Sequence, residues 1–261
     1  MRLTRLHNGF DCEGSQLVGT LDRAEGPTGL LIVSGGNELR SGTWAGQAQL
    51  AARIAAAGYP VFRFDRRGIG DSEGTNAGFR GSLPDMKAAI AAFRQAAPQL
   101  TRIIAYGNCD AATALLLGAC ELDVAGFVLA NPWTIDGDEA PEAMPAAAVR
   151  SRYLQKLANP REVWRLLSGG VNLRNLASGL RSAATVATPG SPLVETMQAR
   201  CNAVAVPLKI LLASRDRTAQ MFTEAWPKGD TRIATIDSGS HSFSDEPARE
   251  WLFERLLAAL A

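Results

Sequence analysis

Cys109 stands where a strand-like run, Ile103-Ile104-Ala105-Tyr106, meets a helix-like run with almost nothing between them, in Gly107-Asn108-Cys109-Asp110-Ala111. So tight a turn holds its apical residue in a strained backbone conformation and needs small residues on either side, which Gly107 and Ala111 supply. The thiol is then expected over a helix N-terminus, where unpaired N–H groups and the helix dipole favour a thiolate. Such a thiolate can attack an acyl carbonyl. Two other residue types complete that chemistry, and both occur later in the chain. Asp216 lies in Ser214-Arg215-Asp216-Arg217, just after an apolar run. His241 lies in Asp237-Ser238-Gly239-Ser240-His241-Ser242, just after another. The expected roles are Cys109 as nucleophile, His241 as its base, and Asp216 as the acceptor that fixes the imidazole tautomer. The plainer alternatives are a buried structural cysteine, a surface histidine and a helix N-cap.

An acyl transfer also needs two preorganised donors for the oxyanion. The backbone N–H of Asp110, the residue after the nucleophile, is one candidate. The other comes from Ser34-Gly35-Gly36-Asn37, with Gly36 as first choice and Asn37 as second. A plain glycine turn would look the same. Trp133 and Trp164 are candidates for lining a substrate pocket. Gly68-Ile69-Gly70-Asp71-Ser72-Glu73-Gly74 has the spacing G-x-G-x-x-x-G with no helix starting on it, so it fails as a dinucleotide fingerprint.

These residues must be positioned by secondary structure, and the pattern for it is regular. Strands are expected at Gly29–Val33, Pro60–Phe64, Thr101–Tyr106, Val124–Ala130, Pro207–Leu212 and Thr231–Ile236. Helices are expected at Thr43–Ala57, Pro84–Ala97, Asp110–Glu121, Thr218–Trp226 and Asp245–Leu260. Strand alternating with helix implies an α/β fold, a mostly parallel sheet covered on both faces. The C-terminal ends of such strands are where open α/β sheets place their sites. The rhythm breaks after Trp133: helical stretches near Ala146–Leu157 and Arg161–Leu167 are followed by loop-like sequence. The expected organisation is a core formed by 1–132 and 206–261, with a helical lid at 133–205.

Composition limits the partners. In 261 residues, 27 basic and 26 acidic side chains give a net charge of +1, with no field for nucleic acid. No apolar run approaches the ~20 residues needed to span a bilayer, and Met1–Leu6 lacks the apolar core of a signal peptide. Four scattered cysteines and two histidines argue against a disulfide framework and a metal centre, so a reduced, cytoplasmic protein without cofactor is expected. Within the expected lid, Arg150, Arg152, Lys156, Arg161, Arg165, Arg174 and Arg181 face Glu162 alone. A solvated helix face is the ordinary explanation. A cationic cover could also recruit a carrier-bound thioester.

The order nucleophile, acid, histidine, and the loop Phe64-Asp65-Arg66-Arg67-Gly68-Ile69-Gly70-Asp71-Ser72-Glu73-Gly74, resemble the α/β-hydrolase superfamily. Gly35-Gly36 with Arg40 and Gly42, Gly107-Asn108-Cys109-Asp110, Asn131-Pro132-Trp133 and Tyr153–Leu157 with Trp164–Gly169 resemble, more narrowly, the exosortase A system-associated hydrolases of the hydrolase 1 type. The chain departs from that pattern at Asn108, at Ala111 and at Asn37-Glu38-Leu39. The resemblance implies a hydrolase or acyltransferase acting on a small-molecule acyl ester or thioester, near bacterial exopolysaccharide production. A non-catalytic binding protein on the same fold is the rival expectation, and Ala111 is its best support.

Overall fold

The computed structural model describes residues 4–135 and 191–261. Its sheet contains strands β1 Arg5–Cys12, β2 Ser15–Asp22, β3 Thr28–Val33, β4 Val61–Phe64, β5 Arg102–Asn108, β6 Gly126–Ala130, β7 Leu208–Ala213 and β8 Ile233–Ile236. They lie in the order β1-β2-β4-β3-β5-β6-β7-β8. The β1–β2 and β2–β4 pairs are antiparallel, and every later pairing is parallel. The described helices are α1 Gly46–Ala56, α2 Leu83–Ala96, α3 Asp110–Leu117, α4 Pro192–Ala203, α5 Arg217–Ala225 and α6 Glu246–Leu260.

The central strands are apolar throughout because both of their faces are covered. Their alternation sorts the side chains into two cores. Leu31 and Val33 of β3, Ile103 and Ala105 of β5, and Phe127 and Leu129 of β6 pack beneath α2, α3, α4 and α5. Leu30 and Ile32, Ile104 and Tyr106, and Val128 and Ala130 point the other way, against α1 and α6. This period of two puts neighbours in sequence on opposite faces of the sheet.

Two elements differ from the expectation. The β1–β2 hairpin was not foreseen, because β1 is a mostly solvent-facing edge whose polar residues lack an apolar alternation; it exists through its pairing with β2, from Arg5 opposite Asp22 to Cys12 opposite Ser15. His7 is in that strand with Nδ1 3.1 Å from Thr20 Oγ1. Helix α4 lies where loop was expected, inside the span assigned to the lid. Ser191 caps it by accepting from Val194 N, and Leu193, Val194, Met197 and Cys201 are buried in the core beside α3. That apolar spacing and Ser-Pro start are a helix signature. The expected lid helices, the cationic residues between Arg150 and Arg181, and Trp164 lie outside the described residues.

Candidate active site

The C-terminal ends of β3, β5, β6, β7 and β8 share one edge of the sheet, and the candidate residues follow them. Cys109 is the residue between β5 and α3. Its backbone has φ 60° and ψ −126°, a conformation costly for any side chain. Surrounding bonds enforce it: Cys109 N donates to Ala130 O at 2.9 Å, and Ala112 N and Trp133 N donate to Cys109 O at 3.1 and 3.3 Å. The thiol is only partly buried.

Gly107 is required by this turn. A Cβ there would stand 2.8 Å from the Ala111 carbonyl carbon and 2.9 Å from its oxygen, both backbone atoms that cannot move aside. Gly107→Ala should therefore cost about 3 kcal/mol, the upper end of ordinary overpacking, as measured by urea unfolding. A midpoint equal to that of the unsubstituted protein would mean that the elbow is looser than described. Ala111, by contrast, fits: it lies in the first turn of α3 and is fully buried in the core.

Asp216 caps α5 by accepting from Ala219 N at 3.1 Å, and the same oxygen lies 3.0 Å from His241 Nδ1. It thus serves as a cap and as the imidazole's partner. The cysteine side chain is near enough to the same ring to affect its protonation. The His241 pKa is pushed up from its ordinary value to about 10, first by the Asp216 hydrogen bond and next by the one to Cys109, against the opposing effect of burial. At neutral pH the ring is therefore held as imidazolium.

The backbone that carries His241 is held by two residues whose part in the site was not foreseen. Asn108 Nδ2 and Asn131 Nδ2 both donate to His241 O, at 3.1 and 3.0 Å. Asn131 Nδ2 also reaches Asn108 Oδ1 at 3.3 Å, and Asn131 Oδ1 accepts from Ala213 N at 2.9 Å. Asn131 is fully buried with φ 40°, a left-handed conformation that asparagine tolerates better than most residues. Asn108, read from sequence as a departure from an apolar position, is polar because it faces this carbonyl. Asn131→Leu keeps the volume but leaves Ala213 N–H without its acceptor, and should cost about 3 kcal/mol in urea unfolding. A loss below a few tenths would show that the clamp carries no weight.

The loop after β3 meets the elbow closely. Gly36 N donates to Asp110 Oδ1 at 2.5 Å, and Arg66, almost fully buried, bridges Gly36 O at 2.5 Å, Ser82 Oγ at 2.9 Å and Asp110 Oδ2 at 3.3 Å. The N–H of Gly36, first choice as an oxyanion donor, is thus engaged by a carboxylate. Asn37 N has no hydrogen-bond partner among the described residues, while its side-chain Oδ1 accepts from Asn76 Nδ2 at 2.9 Å. Asp110 N, the first residue of α3, has no intrahelical acceptor. Trp133 is tied to the elbow through its main chain, accepting from Thr113 Oγ1 at 2.7 Å in addition to its N–H bond to Cys109 O. The glycine-rich loop after β4 is held by its own hydrogen bonds: buried Asp65 accepts from Arg40 N at 2.6 Å, and Ser72 Oγ donates to Asp65 O at 2.8 Å.

Among the described residues no group of acidic, cysteine or histidine side chains is arranged to hold a metal ion, and no helix is long and apolar enough to cross a membrane. No curated protein matches the chain significantly. Its fold is shared with an esterase of Pyrococcus furiosus at 14% identity and a TM-score of 0.60, covering 99% of this chain and 92% of that one. It is shared also with an alpha-beta serine hydrolase homologue from Coxiella burnetii, at 16% identity and a TM-score of 0.60 over all of both chains. A third is the thioesterase domain from the curacin biosynthetic pathway, at 13% identity and a TM-score of 0.57, covering 97% of this chain and 99% of that one. The profile of one family matches residues 30–254, from β3 into α6, and on that match the chain belongs to the Alpha/beta hydrolase family.

Proposed function

We propose that the protein hydrolyses an ester or thioester through a covalent acyl-enzyme on Cys109. The observation that carries this reading is one imidazole, His241, hydrogen-bonded to Asp216 and set beside the cysteine of a strained strand-to-helix turn, whose side chain helps to raise the ring's pKa. Cys109 Sγ attacks the carbonyl carbon, and the oxyanion is held by the N–H groups of Asp110 and Asn37. The intermediate collapses by breaking the bond to the leaving alcohol or thiol, which takes its proton from His241. A water molecule, giving a proton to the now neutral imidazole, attacks the resulting thioester; cleavage of its C–S bond releases the carboxylic acid and returns the electron pair to Cys109 Sγ beside the protonated ring, the starting state. An acyltransferase would substitute an acceptor hydroxyl for that water.

The substrate is a small-molecule acyl ester or thioester; the esterase and thioesterase among the structural neighbours support this class. The cationic residues between Arg150 and Arg181 favour a carrier-bound form, and Trp133, whose main chain meets the elbow, is the first candidate to line the acyl pocket, with Trp164 the second. The narrower motifs support a place among the exosortase A system-associated hydrolases, in the cytoplasm and in exopolysaccharide production. Deleting the gene should then change the amount or acylation of the polymer.

The bond from Gly36 N to Asp110 favours one rival, a non-catalytic binding protein with a filled oxyanion site. Intact-mass measurement after mixing with 4-nitrophenyl acetate separates the two. Hydrolysis predicts one acetyl adduct at Cys109 that requires His241 and disappears with time. If no adduct forms at neutral pH, the enzyme reading is wrong and the binding protein stands.

A further inference from the structure

Between α1 and α6 lies a cavity of about 450 Å³. Leu50 of α1, Leu252 of α6 and Phe243 supply apolar wall, and Trp44, Tyr106 and Asn108 also line it. Tyr106 belongs to β5 and points to this face of the sheet. Its side chain is 5% exposed, yet its hydroxyl has no hydrogen-bond partner among the described residues. The hydroxyl faces the cavity with no protein partner among these residues, and there it marks a place for an acceptor. Burial, and secondarily the Glu38 carboxylate, push the Tyr106 pKa up, so the group stays a neutral donor. Glu38 is not its acceptor, being occupied by Thr43 N, Thr43 Oγ1 and Gln47 Nε2, each at 2.7 Å.

The rim adds two observations. Its cations are paired within the protein, Arg53 with Glu250 at 2.7 Å and Arg249 with Glu246, so none is free for an anion, and the remaining carboxylate, Glu38, has both oxygens taken by Thr43 and Gln47. Trp44, by contrast, is 89% exposed, and both it and Ala45 hold left-handed backbone conformations, φ 56° and 57°. Consecutive strained residues that hold a bare indole beside a cavity are characteristic of ligand clamps.

We propose that this cavity binds a neutral aromatic ligand bearing one hydrogen-bond acceptor, with its ring against Trp44, Leu50, Phe243 and Leu252 and its acceptor on the Tyr106 hydroxyl. Aryl ketones, aryl esters and aryl ethers have this chemistry. The site borders the candidate active site without needing it: Asn108 in its wall holds His241 O, and Phe243 follows the histidine by two residues.

Two neutral probes of similar shape test it by calorimetric titration: 4-methylacetophenone, which has an acceptor, and 4-isopropyltoluene, which has none. The ketone should bind saturably and more tightly than the hydrocarbon. Tyr106→Phe should weaken the ketone about tenfold and leave the hydrocarbon unchanged. Trp44→Ala, at an exposed position where folding is not at stake, should weaken both. Cys109→Ala should bind the ketone as the unsubstituted protein does, so a failure of the hydrolytic reading leaves this site standing. No saturable binding of the ketone, or an affinity for it unaltered by Tyr106→Phe, would overturn the proposal.

Discussion

Cys109→Ala should reduce turnover of an activated ester by a factor on the order of 10⁵ to 10⁶ in kcat, to nearly the uncatalysed rate. The loss is so large because the sulfur forms the bond that divides the reaction, and neither His241 nor the oxyanion donors can replace it. Stability should change little, since alanine removes one partly buried atom and the strained backbone is held by Ala130, Ala112 and Trp133. The other cysteines provide controls. The Cys12 pKa is pushed up to about 11, mainly by burial and then by Asp85, and burial raises that of Cys201. Cys120 is exposed and should be alkylated alike in both proteins. A variant retaining a tenth of the original rate with an unaltered urea midpoint would remove Cys109 from the reaction.

Asp216→Asn is the second large effect and the cleaner substitution, because asparagine still caps α5. What it removes is the charge that holds the imidazole, so kcat should fall by about 10² to 10⁴. It also changes how stability depends on pH. The folded-state pKa of His241 is about 10, above its ordinary value of about 6.5. The stabilisation from the protonated pair is therefore complete below about pH 6.5 and lost as pH rises through about 10. Urea midpoints measured at pH 6 and pH 10 should fall more in the unsubstituted protein than in Asp216→Asn. Parallel falls would mean that Asp216 does not set the histidine's charge, whatever the distance between them.

The Cys109–His241–Asp216 arrangement was legible because each member follows an apolar strand whose pattern is local. The order of nucleophile, acid and histidine then needs only that those strands be parallel neighbours, as β5, β6, β7 and β8 are. Gly107 was legible for a similar reason, since the crowding it avoids comes from residues four and five positions further on. The Asn131 clamp was not. Its partners are Asn108, Ala213 and His241, dozens of positions away, and nothing near residue 131 distinguishes a carboxamide that bridges two strand ends and a loop from one that ends a strand.

By itself the sequence determined the alternation that builds a two-faced parallel sheet, the turn that strains Cys109, and the strand ends after which Asp216 and His241 come. Periodicity, small residues and caps act over a few residues, so they are written in sequence order. Tertiary structure alone decided that Asp110 engages Gly36 N–H, that two asparagines share the His241 carbonyl, that the polar strand β1 pairs at the edge, and that α1 and α6 leave a cavity over Tyr106. Each of these depends on which distant groups meet once the chain has closed, and a hydrogen-bond donor carries no local mark of the acceptor it will find.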